Sequence, residues 1–134
     1  MHSGDRQMTQ PEGKPPRATG FAHFIRSCKY SFNGFREGCK EAAFRQELAF
    51  CIVVLPLAWL LPFPPMHSAF LTICYLFLLT TELLNTAVEA VVDLASPNYH
   101  ELAKRAKDLA SAAVTCAITA NAVAWLGCIL AYFS

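Results

Sequence analysis

Charge is what this sequence has least of. Only 16% of its 134 residues are Asp, Glu, Lys or Arg, where a soluble domain of this length carries about a quarter. Residues 48–81 and 109–134 contain none at all. Uninterrupted apolar runs of about 18 residues or more are read as membrane spans, so an ordinary soluble domain is excluded. Two further absences narrow the chemistry. There is no GxxxxGK[ST] and no GxGxxG, so a nucleotide cannot rest in the usual glycine-rich backbone cradle. The six cysteines form no CxxC pair, and Cys51, Cys74, Cys116 and Cys128 fall within the apolar runs, where a free thiol behaves as a small hydrophobe. Disulfides and zinc are not organising features here.

What is present divides into segments. The first charge-free run is too long for one helix, and Pro62, Pro64, Pro65, His67 and Ser68 break it near its middle. Three spans are expected, at about 47–63, 68–94 and 106–133, with Pro56 placed to kink the first. Residues 1–19 are Pro, Gly and polar without apolar periodicity and read as a disordered tail; no signal peptide is read ahead of the spans. In 21–45, Phe21, Phe24, Ile25, Cys28, Phe32 and Phe35 recur at helical spacing against Arg26, Lys29, Asn33 and Arg36. This is the pattern of an amphipathic helix on the membrane surface, or of a cytosolic helix packed on the spans. Arg26, Lys29, Arg36, Lys40 and Arg45 precede the first span, and Lys104, Arg105 and Lys107 lie between the second and third. The Pro-rich turn has no such residue. The positive-inside rule therefore puts the N-terminus and second loop in the cytoplasm, and the turn and the C-terminus outside.

The stretch ELLNTAVEAVVD, 82–93, sits where a span tolerates almost nothing ionisable. At about 100° per residue, Glu82, Asn85, Thr86, Glu89 and Asp93 share an arc of roughly 100° on one helix face. An ionisable group at membrane depth costs several kcal/mol unless it faces the bundle interior or water. It marks either a functional site or a structural polar seam. A second polar face opens the third span, with Lys107, Asp108, Ser111 and Thr115 on one side and Lys104 just upstream. The short link SPNYHELAKR makes the two faces neighbours. Glu41, in KEAAFRQE, lies at the same level, with Arg45 and Glu47 nearby. Carboxylates that hold Mg²⁺, a lysine that neutralises phosphate charge and a carboxylate that accepts the nucleophile's proton are the parts of phosphoryl transfer. Without a His and Cys cluster zinc chemistry is disfavoured, and Ser111 has no evident His partner.

ELLNTAVEAVVD, followed by YHELAKRAKDLASAAV and preceded by EAAFRQE, closely resembles the prokaryotic diacylglycerol kinase family over about 20–134. The resemblance implies an all-α membrane protein: a surface helix and three spans in a homotrimeric bundle whose sites are shared between subunits. It implies transfer of the γ-phosphoryl group of Mg·ATP to diacylglycerol at the cytoplasmic face of the bacterial inner membrane, with no nucleic-acid partner. By position in the motifs, Glu82 matches the general base, and Glu41 and Glu89 match the magnesium ligands. Tyr30, Asn98, Tyr99, His100, Lys107 and Asp108 match nucleotide-contacting positions, and Ser111 a lipid-contacting one; His23 and Arg45 are carried over as substrate contacts. Two features depart from the family pattern: His23 stands where arginine is usual, and the interval from Gly34 to Glu41 is one residue short. A polyprenol kinase of the same fold is the alternative acceptor reading. A non-catalytic transporter is the alternative of another class, disfavoured because 82–93 clusters its acids at one membrane face rather than at the midplane.

Single-cysteine replacements in the 62–68 turn and at Ser134 should be modified from outside sealed cells, and a replacement at Pro97 should not. Labelling at Pro97 would overturn the orientation.

Overall fold

The computed structural model describes residues 20–134; the tail expected at 1–19 lies outside the described residues. Four helices follow in order: α1 (Phe21–Gly38), α2 (Ala42–Leu60), α3 (Pro65–Ala95) and α4 (Glu101–Phe133), with no strand among the described residues. The last three are long and apolar enough to cross a membrane, as an all-α membrane protein requires. The chain forms two compact units that divide after Phe32.

In the N-terminal unit, Gly20 starts α1 from a left-handed conformation (φ 65°), which costs glycine little because it has no Cβ. Phe21 and Phe24 stack with ring centroids 6.4 Å apart, and the Ser27 hydroxyl donates to the His23 carbonyl at 3.0 Å. Phe21, Phe24, Ile25 and Phe32 are all exposed.

The second unit contains the spans. The helix read over 21–45 ends earlier, at Gly38, and α2 begins at Ala42. The reason is local packing. A Cβ on Gly38 would lie 2.6 Å from Leu83 Cδ2 and 3.2 Å from Phe44 Cδ1, so the backbone meets α3 and the Phe44 ring at a distance that only glycine permits. The turn is closed by Lys40 N–H to Glu37 O and Glu41 N–H to Gly38 O, both 2.9 Å, and braced by Arg45 Nη1 donating to Lys40 O at 2.9 Å. Pro56 lies within α2, which continues through it to Leu60. Pro65 opens α3, where a missing N–H and a fixed φ cost nothing.

In a bilayer there is no hydrophobic force to sort one apolar helix from another, so polar links and close packing set the register. Ser68 Oγ donates to Ala58 O at 2.6 Å, Trp59 Nε1 to Thr72 Oγ1 at 3.1 Å, and Tyr75 Oη to Glu47 O at 2.7 Å. Ser68 and Thr72, early in α3, meet the end of α2 at Ala58 and Trp59, and Tyr75, farther along, meets Glu47 near its start, so the two run antiparallel. Asn121 Nδ2 donating to Cys74 O at 2.9 Å and Lys107 Nζ to Asp93 Oδ1 at 2.5 Å fix α4 antiparallel to α3 in the same way. Two apolar clusters fill between these links. Ala58, Leu71, Ala124 and Cys128 pack with Phe63 and Trp125 near the 61–64 turn. Phe44, Tyr75 and Leu79 pack with Leu83, Val54 and Cys51 towards the other end.

Gly38→Ala forces Leu83 or Phe44 to move and should lower stability by about 1–3 kcal/mol, the usual cost of overpacking. Unfolding in mixed micelles by denaturant measures it. Leu83→Ala in the same chain should recover part of the loss, and no recovery would show that the strain lies elsewhere.

Candidate functional site

Glu82 is the centre of the polar face expected on α3, and it is the most deeply buried charged residue described, at 4% exposure. The α3 turn that carries it packs on α2 through Leu79 and Leu83 beside Phe44. Glu41 and Glu89 both lie within electrostatic reach of it. Glu41 stands at the N-cap of α2, is exposed, and makes no capping hydrogen bond, so its carboxylate is not engaged in holding the helix. Glu89 follows Glu82 by two turns, about 10 Å along the axis, and is half-buried. Asn85, between them, keeps its Oδ1 buried with no partner.

From Glu82 an apolar groove of about 510 Å³ runs away from Glu89 between α2, α3 and α4. Phe50, Val54, Leu78 and Ile118 form its walls, and Trp125 closes its far end. Four further polar residues line it: Gln46, Glu47, Tyr75 and Asn121. Sequence reasoning gave these no role of their own. Glu47 was legible as a charge one turn inside a span, and Asn121 as a lone amide in a charge-free run. Neither reading alone reveals that both line one groove with Glu82.

A second cavity, of about 320 Å³, lies where α3 ends and α4 begins. It gathers Asp93, Asn98, Tyr99, His100, Lys107 and Asp108, so the five nucleotide candidates of the second loop do come together. His100 caps α4, its Nδ1 accepting from Leu102 N–H at 3.2 Å. That fixes the proton on Nε2 in the neutral ring and leaves Nε2 as a donor. Lys107 is paired to Asp93, and Lys104 to Asp108 at 2.6 Å. The remaining candidates are elsewhere: Arg45 braces the turn that carries Glu41, and Ser111 is exposed on α4 outside both linings. His23 and Tyr30 are exposed residues of the N-terminal unit.

The arrangement sets a polar cavity with two lysines, each paired to an aspartate, at the α3–α4 end of the bundle, and a buried carboxylate in the lining of a separate apolar groove. The family model for prokaryotic diacylglycerol kinase matches residues 29–129. The chain belongs to this family. It is 40% identical over 113 residues to the diacylglycerol kinase of Escherichia coli, covering 84% of this chain and 91% of that one. It is 38% identical over 112 residues to that of Haemophilus influenzae, covering 83% and 95%. A third relative, the diacylglycerol kinase of Pseudomonas aeruginosa, is 40% identical over 108 residues, covering 80% and 88%. The family makes the chain a membrane-embedded lipid kinase.

The Lys107–Asp93 pair is partly open to solvent, with side chains 38% and 65% exposed. Exposed ion pairs contribute at most about 1 kcal/mol. Asp93→Asn should therefore cost less than that in denaturant unfolding, and a larger loss would show that the pair holds α3 to α4 rather than tuning the cavity.

Proposed function

We propose that the chain transfers the γ-phosphoryl group of Mg·ATP to the free hydroxyl of diacylglycerol and releases phosphatidic acid and ADP. The reaction takes place at the cytoplasmic face of the bacterial inner membrane, in a homotrimer whose neighbouring subunits share sites. The observation that carries the reading is the position of Glu82, buried at 4% exposure where the apolar groove ends. A lipid lying in the groove brings its hydroxyl to this carboxylate from the hydrocarbon side. Nucleotide comes from the opposite side, to the cavity of Asn98, His100 and Lys107.

Glu82 takes the hydroxyl proton, the alkoxide oxygen bonds to the γ-phosphorus, and the bond from that phosphorus to the β-γ bridging oxygen breaks to free ADP. Lys107 offers a point charge to the phosphates once it exchanges Asp93 for them. His100 Nε2 and Asn98 offer hydrogen bonds. Glu41 and Glu89 fit a magnesium ion: they are hard oxygen donors, one is uncommitted at its helix end and the other half-buried. Among the described residues no three acidic, His or Cys side chains group closely enough to hold a metal alone. Magnesium binds through one or two carboxylates and completes its shell with phosphate and water. Bound there, it would neutralise charge on the transferring phosphoryl group.

Glu82→Gln preserves size but cannot accept a proton. It should cut turnover by about 10² or more while nucleotide binding persists. Glu89→Gln should raise the free Mg²⁺ needed for half-maximal rate. Radiolabelled phosphate transfer from ATP to diacylglycerol in mixed micelles measures both. Near-normal turnover by Glu82→Gln would leave Glu82 a structural residue, and an unchanged magnesium titration would remove Glu89 from the metal.

A further inference from the structure

The groove beside Glu82 contains acid without base. Its lining includes two carboxyl groups, Glu47 and Glu82, and among the described residues no Lys, Arg or His. The chain pairs other acids: Glu37 with Lys40, Asp93 with Lys107 and Asp108 with Lys104. Neither Glu47 nor Glu82 is in an ion pair among the described residues. The two lie within electrostatic reach of each other, and Glu41 and Glu89 also act on Glu82. Three carboxyl groups thus act on a fourth, and that fourth is 4% exposed.

Like charges repel strongly where water is excluded, and a buried carboxylate without a counter-ion is costly. A cation brought to Glu82 relieves both costs at once. The rest of the lining decides which cation. Phe50, Val54, Leu78 and Ile118 are hydrocarbon walls with Trp125 at the far end, and a bare metal ion among them would be left short of oxygen ligands. An organic cation with an alkyl tail matches the acid and the walls together. The register sets the length of that tail. Asn121 reaches Cys74 O, and Cys74 precedes Glu82 by eight residues, about 12 Å along α3. Trp125 lies a further four residues along α4, about 6 Å more. A hexadecyl chain covers that distance.

We propose that the groove binds long-chain primary amines as ammonium ions, the head on the Glu82 carboxylate within the field of Glu47, and the tail along Phe50, Val54, Leu78 and Ile118 towards Trp125. An ammonium group has three N–H donors and no lone pair, so it pairs with Glu82 but cannot attack phosphorus. Such an amine fills the groove without being phosphorylated. Binding stands on the charge and lining of the groove alone; competition with diacylglycerol rests in addition on the reading of that groove as the acceptor-lipid site.

The test titrates the full chain in mixed micelles with hexadecylamine brominated at its terminal carbon, and separately with the uncharged methyl ether of the same brominated chain, while tryptophan emission is followed. Bromine quenches an indole that it touches. Trp125 reports a tail in the groove. Trp59, exposed on α2, reports chains dissolved in the micelle, and Trp59→Phe removes that signal. The amine should half-quench Trp125 at a mole fraction about tenfold below that of the ether, as one ion pair in a protein interior allows. Glu47→Gln keeps size and removes one charge, so it should weaken the amine by about threefold to tenfold and leave the ether unchanged. Equal quenching by amine and ether overturns the inference. So does an amine preference that Glu47→Gln and Glu82→Gln both leave intact, which would assign it to the micelle surface. If the variants do not assemble, displacement decides: excess unbrominated hexadecylamine should restore Trp125 emission where the unbrominated ether does not, and restoration by neither overturns the inference. In phosphate transfer the amine should raise KM for diacylglycerol and leave kcat unchanged. Amine-specific quenching without that competition upholds the amine site and defeats the reading of the groove as the acceptor-lipid site.

Discussion

A carboxylate withdrawn from water in an apolar bundle is the constraint on which the rest of this structure depends. Glu82 is buried among three helices, and an acid at that depth is tolerated where it faces the bundle interior rather than lipid. Its surroundings follow from that. The helix that carries it must be held firmly against its neighbours, or the acid would find lipid. Tyr75 binds Glu47 O two turns before it, Gly38 lets the chain come against Leu83 beside it, and Lys107 grips Asp93 three turns beyond it. Each of these contacts joins α3 to a different segment. Together they leave Glu82 in the lining of an apolar groove to which all three spans contribute.

The two ends of α3 are built on different physics. Towards the 61–64 turn the links are neutral: Ser68 to Ala58 O, Trp59 to Thr72, and an apolar cluster of Leu71, Ala124 and Cys128. Towards Asp93 they are ionic and partly wet. Hydrocarbon suits the first kind because neutral hydrogen bonds there carry little desolvation cost. Water at the interface suits the second, because ion pairs stay exchangeable. Exchangeability matters: a lysine that is to accept phosphate must be able to let go of its carboxylate, and Lys107 at 38% exposure is placed to do so.

Much of this was legible in the sequence, and what was not has a common cause. Charge-free runs located the three spans, and the period of ELLNTAVEAVVD put Glu82, Glu89 and Asp93 on one face. The residues of SPNYHELAKRAKD enclose one cavity because they are neighbours along the chain, so proximity in sequence became proximity in space. Periodicity gives a face but not a register between helices. That Tyr75 meets Glu47, or Asn121 meets Cys74, depends on how far one helix is slid along another. The break at 39–41 was missed for a related reason. Apolar spacing continues past it towards Phe44, and only the approach of Leu83 to Gly38 shows why the helix stops.

The same reasoning separates what the bilayer supplies from what the chain must supply. Large apolar side chains such as Ile52, Leu60, Phe77, Leu84 and Val123 are exposed on the outer faces of the spans. Lipid tails or another copy of the chain can cover these equally well, because neither has to match them atom for atom. The groove is different. Its walls, Phe50, Val54, Leu78 and Ile118, are as apolar as the outer faces, but its lining also includes Glu82, Glu47, Tyr75 and Asn121. A passing acyl chain gains nothing there that it lacks elsewhere in the membrane. What sets the groove apart from the outer faces is therefore its few polar residues and not its many apolar ones. A lipid kinase has to tell its acceptor from the surrounding tails, and apolar walls alone cannot make that distinction.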